Sequence, residues 1–404
     1  MKAKKVLLLA TYFPPLNNIA CYRSGCFAKF LPEFGWEPTV VCEDWTAGKG
    51  AAYDPEFVGE IPQSVRIERI PRPIEKGFWQ RTVQRKLLPY LAPHKTPRLW
   101  WKQAYARIER LLEKHSFDAV WATSDPLGPS GLAASFAKRH RIPWILDLRD
   151  SFNLQPMGSW YKRPFLAYRE RRLCAQADQV VTVSEGMAKK LQTHSKKNIK
   201  VIHNGFDPTL FPVDSKLQSD KFTLLYAGKL YHDHAPLLRA LELNIKQSRM
   251  EKELLEYRVL GVSRAHFESR CTYLPQIVNI SVRPRIPHKN ALLEKCRASA
   301  LFFHSHTEIP GVLTGKLFDY LGSGRPILAY LGDEISESKR LLDKTGAGST
   351  AANIKQLADL LADWYQRWKR NPAFALERNE GEIATYSRRT QTKTLAETLN
   401  EICH

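Results

Sequence analysis

Lys316 and Asp319, three residues apart, are a pair of side chains well spaced for ligand binding. They directly follow the glycine-bearing stretch Gly-Val-Leu-Thr-Gly, residues 311–315. On a helix, residues three apart share a face. The start of such a helix also offers unpaired backbone amides and a dipole that favours an anion. A cation, open amides and a carboxylate together suit a phosphorylated ligand.

A nucleotide diphosphate is the ligand that would use all three groups. A second positive charge comes from Lys229, which follows Gly228 at the end of the apolar run FTLLYA. Lysines of this kind can neutralise a pyrophosphate. Asp319 can accept hydrogen bonds from two ribose hydroxyls, as the acidic residue of dinucleotide-binding folds does. For Lys229 alone, an ordinary surface lysine remains the alternative.

Apolar strand-like runs alternate with helical stretches along most of the chain. This pattern predicts an α/β protein with parallel sheets covered on both faces. A polar stretch at 204–221 interrupts it, so we predict two doubly wound halves. In such sheets ligands bind beyond the carboxyl ends of the strands. The runs that carry the prediction are KVLLLATYF, PTVVCED, FDAVWATS, PWILDLRD, ADQVVTVS and IKVIHNG, then FTLLYAG, YRVLGV, ISVRPRI, ALFFHS and PILAY.

Several polar residues of the first half directly follow predicted strands. Asp147 and Asp150 end one strand with Arg149 between them, and they either face the ligand or form an internal ion pair. Arg23, one turn into the first predicted helix, either faces the same place or solvent. The candidates after strands in this half are Asn17, Asn18, Asp125 and Asp150.

Composition restricts the class of protein. At 404 residues and 43% hydrophobic content, the chain has the length of two or three globular domains. No run of about 18 apolar residues predicts a spanning helix. The start MKAKKVLLLATYFPP resembles a signal peptide, but Phe-Pro-Pro breaks the run and favours a buried strand. Seven cysteines without CxxC spacing predict reduced thiols in the cytoplasm, and no cluster has metal-ligand spacing.

The net charge of +20 predicts an anionic partner or surface. Residues 72–114 carry 11 Lys or Arg against three Glu, together with several aromatic residues. Basic residues beside aromatic ones suit an anionic membrane surface or a lipid-linked substrate. A solvated helical face is the alternative, and nucleic acid, which would also use stacking aromatics, is the less favoured partner. We therefore predict no nucleic acid and a protein that can be peripheral on the inner face of the plasma membrane.

Nearly the whole chain resembles GT-B fold glycosyltransferases of the retaining GT4 type, which build bacterial polysaccharides and glycolipids. The resemblance implies two Rossmann-like domains facing an interdomain cleft: an acceptor domain at 1–208 and a nucleotide-sugar domain at 209–382. It also implies a C-terminal helix, within 383–404, that packs back on the first domain. The motifs that carry it are YFPPLNNIACYR, ATSDPLGPSG, PWILDLRD, ADQVVTVSEGM, VIHNGFDP, LLYAGKLY, VRPRIPHKNALL and GKLFDYLGSGRPIL.

The resemblance also implies tasks for individual residues of the second half. It places basic residues after the first strand of this half and the nucleotide base near Arg285 and Ile286. The family has Arg at the position of Lys229 and Lys at that of His234. Lysine keeps the positive charge, but it cannot form the two parallel hydrogen bonds that an arginine guanidinium makes to a phosphate. His234 would be charged only below about pH 6.5 unless phosphate raises its pKa. We therefore predict donor binding that weakens above neutral pH.

Two loops depart from the family pattern. The family has Glu, seven residues, then a second Glu; Asp319 matches the second, but Gly311 stands where the first would meet the sugar. Glu308 either replaces it or is a surface acid. The family often has Gly-Gly where this chain has Asn17 and Asn18. Asparagine tolerates left-handed backbone, so that loop can keep its shape.

These observations predict a glycosyltransferase that moves a sugar from a nucleotide diphosphate sugar to a saccharide or lipid-linked acceptor. We predict retention, no metal and no cofactor besides the donor substrate. An epimerase of nucleotide sugars and a non-catalytic nucleotide-sugar-binding protein are the alternatives. The predicted catalytic residues are Lys229, Lys316, Asp125, Asp150 and Glu308. The predicted donor-binding residues are Gly228, His234, Arg285, Ile286, Gly311, Val312, Leu313, Thr314, Asp319, Asn17 and Asn18.

Overall fold

The computed structural model describes most of the chain, in two compact units. One unit comprises Met1–His203 with Arg388–His404, and the other comprises Asn204–Ser387. The boundaries therefore lie at 203/204 and 387/388, whereas the sequence predicted 208/209 and 382/383. The described residues are 3–17, 19–46, 53–54, 56–71, 98–124, 128–151, 163–193, 195–212, 220–305, 313–331 and 336–403.

The first unit contains a parallel sheet of seven strands in the order β3-β2-β1-β4-β5-β6-β7. From β1 the chain adds β2 and β3 on one side and then β4 to β7 on the other, as in doubly wound folds. The strands are β1 (Lys4–Ala10), β2 (Trp36–Glu43), β3 (Arg66–Ile70), β4 (Ala119–Thr123), β5 (Trp144–Leu148), β6 (Gln179–Thr182) and β7 (Ile199–Val201).

Helices cover both faces of this sheet. Central strands such as β4 and β5 are buried along their whole length, which explains their continuous apolar sequence. The α-helices in the described residues before 204 are α1 (Ile19–Phe30), α2 (Glu56–Gly59), α3 (Arg98–Leu112), α4 (Gly128–His140), α5 (Arg163–Gln176) and α6 (Glu185–Gln192).

The second unit repeats the plan with six parallel strands in the order β10-β9-β8-β11-β12-β13. These strands are β8 (Phe222–Ala227), β9 (Leu255–Leu260), β10 (Ile280–Arg283), β11 (Ala300–His304), β12 (Ile327–Tyr330) and β13 (Gly348–Ala351). The helices are α7 (Ala235–Lys246), α8 (Arg264–Arg270), α9 (His288–Arg297), α10 (Gly315–Gly322), α11 (Glu337–Thr345), α12 (Ile354–Arg370) and α13 (Glu380–Thr385).

The last helix, α14 (Arg388–Ile402), belongs to the first unit. Its buried residues Leu395 and Leu399 lie in one apolar cluster with Phe27 and Trp121. The α/β fold class with two Rossmann-like units is thus confirmed. Within the residues that the structure describes, none of the helices has the length and apolar content to cross a membrane.

Candidate functional site

Two glycines let the loops after β8 and β9 approach each other closely. Gly228 has φ +116° and Gly261 has φ +110°, a backbone conformation that favours glycine. The amide of Gly228 donates to the carbonyl of Leu260 at 2.8 Å. A Cβ atom on Gly261 would lie 3.3 Å from the backbone of Gly228, and one on Gly228 would lie 3.1 Å from Cε of Lys316. Glycine at 228 therefore leaves space for the Lys316 side chain.

The ammonium of Lys316 lies against an aromatic ring rather than beside a carboxylate. Its Nζ is 3.6 Å from the ring centroid of Tyr226 and 5.9 Å from that of Tyr231, so both rings contribute cation–π attraction. Nζ also donates to the carbonyl of Lys229 at 3.3 Å. Loss of solvent, followed by the nearby charge of Lys295, lowers the pKa of Lys316 well below its ordinary value. An anion bound here would reverse that effect.

Lys229 lies beside Lys316, so the structure brings the two predicted phosphate-binding lysines together. Lys229 is exposed, and its Nζ is 5.1 Å from the ring centroid of Tyr231. Its carbonyl accepts hydrogen bonds from Lys316 and, at 2.8 Å, from the hydroxyl of Tyr226. Both ammonium groups thus lie within 6 Å of the centroid of the Tyr231 ring, next to the loop after β8.

Thr314 stands at the N-cap of α10, the helix that carries both Lys316 and Asp319. An N-cap hydroxyl ordinarily accepts a hydrogen bond from an amide in the first turn. The Thr314 hydroxyl makes no such bond, and its buried oxygen has no hydrogen-bond partner within the described part of the chain. Leu313 is buried in the core. The predicted Gly311, Val312 and Glu308 lie outside the described residues.

Asp319 is engaged by a lysine that the sequence prediction missed. Nζ of Lys295 lies 2.6 Å from Oδ2 of Asp319, and Nε2 of His288 lies 3.8 Å from the same oxygen. The Lys295 side chain is only 6% exposed, whereas that of Asp319 is 26% exposed. Burial alone would raise the pKa of Asp319, but the charge of Lys295, together with the neighbouring His288 ring, outweighs it and lowers the pKa. Asp319 is therefore an anchored carboxylate.

The loop predicted to hold the base lies directly before α9, which begins at His288. Arg285 is exposed, and Ile286 is partly buried against an apolar cluster of the second unit. Because His288 contacts Asp319, this loop runs next to the anchored carboxylate. Those of the predicted residues for phosphate, ribose and base that are named above and described by the structure therefore lie towards the carboxyl end of the second sheet.

His234 differs from its predicted role. It is fully buried at the N-terminus of α7, with its ring 4.4 Å from that of Tyr226 and 5.5 Å from that of Phe302. Burial first, then the charges of His304, Lys316 and His232, lower its pKa well below the usual value. A neutral, buried imidazole does not bind a phosphate. The structure therefore contradicts the prediction that His234 contacts the donor phosphate and makes donor binding depend on pH.

In the first unit, Arg23 and Asp147 form a buried internal ion pair. Nε of Arg23 lies 2.7 Å from Oδ2 and Nη2 lies 3.1 Å from Oδ1 of Asp147, and Nη1 donates to the carbonyls of residues 202 and 203. Asp147 is thus internally paired, but with Arg23 rather than with Arg149, which donates instead to Thr123 and to the Ser124 carbonyl. Arg23 therefore faces neither the ligand nor solvent, contrary to both predicted alternatives. Asn17 is also buried, and its Oδ1 accepts a 2.8 Å hydrogen bond from Tyr22. All three side chains are buried and bonded within the protein, so they are unsuited to direct ligand contact.

Of the remaining first-unit candidates, Asp150 lies among the described residues. Asp150 is exposed just after β5, at the carboxyl end of the sheet as predicted. Asp125, Asn18 and most of the basic segment, 72–97, lie outside the described residues. Among the residues that are described, no three or more His, Cys, Asp or Glu side chains are grouped so that they could hold a metal ion.

Comparison with known proteins supports the same interpretation. The sequence model of the glycosyl transferase 4-like domain matches residues 27–205. No curated protein matches the sequence significantly. A glycosyltransferase from Rickettsia africae is 14% identical with a TM-score of 0.59, and the alignment covers 100% of this chain and 99% of that one.

Two further solved structures share the fold at similarly low identity. The N-terminal domain of Candida albicans trehalose-6-phosphate phosphatase is 11% identical with a TM-score of 0.61, covering 99% of this chain and 97% of that one. A UDP-GlcNAc 2-epimerase from Neisseria meningitidis, solved with UDP-GlcNAc bound, is 13% identical with a TM-score of 0.51, covering 98% and 100%. These similarities establish the fold, and the resemblance to GT-B glycosyltransferases is confirmed.

Proposed function

We propose that this chain, whose residues 27–205 match the model of the glycosyl transferase 4-like domain, is a glycosyltransferase. It transfers a sugar from a nucleotide diphosphate sugar to a saccharide or lipid-linked acceptor. The observation that carries the proposal is the position of Lys229, Lys316 and Asp319 at one end of the second sheet. These groups match two regions of such a donor: the lysines match its negatively charged diphosphate, and the Asp319 carboxylate matches the hydroxyls of its ribose.

The donor's diphosphate would bind between the two lysines and the start of α10. Lys316 without ligand has a lowered pKa and only aromatic and carbonyl contacts. An oxyanion there would accept charge-assisted hydrogen bonds from both ammonium groups. The Thr314 hydroxyl, which makes no cap hydrogen bond, can donate to a phosphate oxygen. The helix dipole adds to the attraction.

Transfer requires that the bond between the sugar and the diphosphate breaks while negative charge grows on the departing diphosphate. Lys229 and Lys316 stabilise that charge, which is catalysis by positioning and electrostatics. We propose that the departing phosphate helps to deprotonate the acceptor hydroxyl on the same face of the sugar, which retains the anomeric configuration. Because two lysines and helix amides already neutralise the diphosphate, we expect turnover without added metal.

The net charge of +20 and the basic, aromatic composition of residues 72–114 favour an acceptor at an anionic membrane surface. Attraction between basic residues and anionic lipids is electrostatic, so it weakens with salt. Sedimentation with liposomes tests this part of the proposal. Equal binding to neutral and anionic vesicles would contradict it.

Donor binding is tested by melting the protein with UDP, GDP, dTDP and CDP and their sugar derivatives. A ligand at 100 times its Kd stabilises the folded state by about 2.7 kcal/mol, so the true donor raises Tm. Lys316→Met should weaken binding roughly tenfold or more, because it removes a charge-assisted hydrogen bond. Lys355→Met changes an exposed lysine of the same unit and is the matched control. No shift with any nucleotide would contradict the proposal.

Turnover separates the proposal from its two alternatives. The similarity to a UDP-GlcNAc 2-epimerase favours epimerisation as the second candidate. A transferase releases nucleotide from the sugar nucleotide when membrane extract supplies an acceptor. An epimerase interconverts two sugar nucleotides without any acceptor. A binding protein, which the glycine at 311 would suit, binds the nucleotide tightly and does neither.

A further inference from the structure

We infer that Lys295 is a positioning residue, which holds the Asp319 carboxylate ready to accept the ribose hydroxyls of the nucleotide; this rests on the proposed function. Lys295 lies on α9 and Asp319 on α10, 24 residues apart in sequence. Their side-chain contact of 2.6 Å links the helix after the base loop to the helix that carries Lys316. The contact thus joins two parts of the proposed donor site.

The ion pair has a buried side and an open side. Lys295 shares the buried face of α9 with Leu292 and Cys296, a place where lysine occurs only when it is paired. The Lys295 side chain is 6% exposed, whereas that of Asp319 is 26% exposed. Solvent or a ligand therefore reaches the carboxylate but scarcely reaches the cation. A pair built only to fasten two helices has no need of this asymmetry.

The carboxylate keeps capacity for a ligand while Lys295 holds it. An ionised carboxylate has about four acceptor sites on its two oxygens. The ammonium occupies one of them on Oδ2, and the His288 ring lies 3.8 Å from the same oxygen. The ion pair fixes the side chain and keeps it ionised, so that it accepts rather than donates. Ribose hydroxyls are donors to such a group. Lys295 therefore acts on the ribose through Asp319.

The inference is tested by comparing UDP with 2′,3′-dideoxy-UDP, or the corresponding pair for whichever base binds. The full-length protein should prefer the ribonucleotide roughly tenfold or more, since hydrogen bonds to a charged group have that magnitude. Lys295→Met should lose most of that preference, through weaker ribonucleotide binding with dideoxynucleotide binding within about twofold of the original. Lys289→Met, an exposed lysine on the same helix, should keep the preference.

A double-mutant cycle shows whether Lys295 acts through Asp319. Asp319→Asn should lose the same preference, and adding Lys295→Met to it should cause no further loss. If Lys295→Met does not fold, Lys295→Gln, which keeps an N–H donor without the charge, replaces it in the comparison.

Three results would overturn the inference. Equal weakening of both nucleotides by Lys295→Met assigns the pair a structural role only. An unchanged preference shows that Lys295 does not support ribose binding. Failure of the unsubstituted protein to bind any nucleotide contradicts the proposed function itself, and the inference with it.

Discussion

The imidazole of His234 has one hydrogen-bond partner among the described residues and several aromatic neighbours. The hydroxyl of Tyr257 lies 2.6 Å from Nδ1, and Nε2 is buried without a hydrogen-bond partner among the described residues. The rings of Tyr226, Phe302 and Phe267 surround it within 6.0 Å. Water does not reach this site to solvate a charge, so protonation is unfavourable in the folded state.

This burial makes stability depend on pH. The folded-state pKa of His234 lies well below 6.5, so between these two values the unfolded chain binds more protons. The free energy of unfolding therefore falls as pH drops through 6.5, by up to about 1.4 kcal/mol per pH unit from this residue. His234→Asn retains a partner for Tyr257 but does not titrate. Urea denaturation between pH 5.0 and 7.5 should show a shallower pH dependence for this variant.

The matched control is His266→Asn, which replaces an exposed histidine of the same unit. Its pH dependence should follow that of the unsubstituted protein. If His234→Asn and the unsubstituted protein show the same slope, the imidazole is protonated in the folded state and the assignment fails.

Whether the role of a single residue could be predicted from sequence depends on how far along the chain its partner lies. Lys316 and Asp319 lie on one helix face, so their spacing alone marked them as a pair. Lys295, in contrast, finds its partner on another helix, and Arg23 finds Asp147 at a separation of 124 residues. Such long-range partners depend on packing between helices and strands. The sequence nevertheless carries one signal for Lys295, because it occupies the apolar face of a helix beside Leu292.

At the scale of elements, the loops after β8 and β9 are joined through backbone. The Gly228 amide donates to the last residue of β9, and the Gly261 amide donates to the Arg283 carbonyl of β10 at 2.9 Å. Each loop thus rests on the neighbouring strand. The loop that carries Lys229 keeps its position because no side chain separates it from the next one.

Gly261→Ala should destabilise the second unit by about 1–2 kcal/mol. Its φ of +110° is costly for any residue with a Cβ atom, and the new methyl group would press on Gly228 at 3.3 Å. Chemical denaturation measures the loss. Gly59→Ala, where a Cβ meets no atom within 4 Å, should change stability by less than about 0.5 kcal/mol. Equal effects of the two substitutions would show that the contact between the loops is not tight.

The two strands that the apolar pattern missed both lie at an edge of a sheet. The runs quoted from sequence include no counterpart of β3 or β13, and these form one edge of each sheet. The sequence of β3 is RIERI and that of β13 is GSTA. An edge strand is solvated on one side and does not need a continuous apolar run. Strands in the middle of each sheet, such as β4 and β8, are buried throughout and were predicted.

At the scale of the whole molecule, the chain begins in the first unit, forms the second, and returns with α14. That helix is tied to the first unit by polar contacts as well as by its core. Nζ of Lys4 donates to Oδ1 of Asn400 at 3.2 Å, and Arg389 pairs with Glu33 at 2.5 Å. The last seventeen residues are therefore needed to complete the first unit.

Leu399→Ala should consequently destabilise the first unit although it lies near the end of the chain. Its side chain is fully buried in a cluster with Phe27 and Trp121, and truncating a buried leucine typically costs about 2–5 kcal/mol. We expect two calorimetric transitions, because each unit has its own core. The donor nucleotide should raise the transition of the second unit, which identifies it, while Leu399→Ala lowers the other.

The matched substitution is Leu241→Ala, which truncates a fully buried leucine in the core of the second unit. It should lower the transition that the nucleotide raises and leave the other in place. The pair thus separates an effect of α14 on its own unit from a general loss of stability. If Leu399→Ala instead lowers the nucleotide-dependent transition by the same amount, the two units unfold together, and the chain's return to the first unit couples the donor site to the stability of the whole molecule.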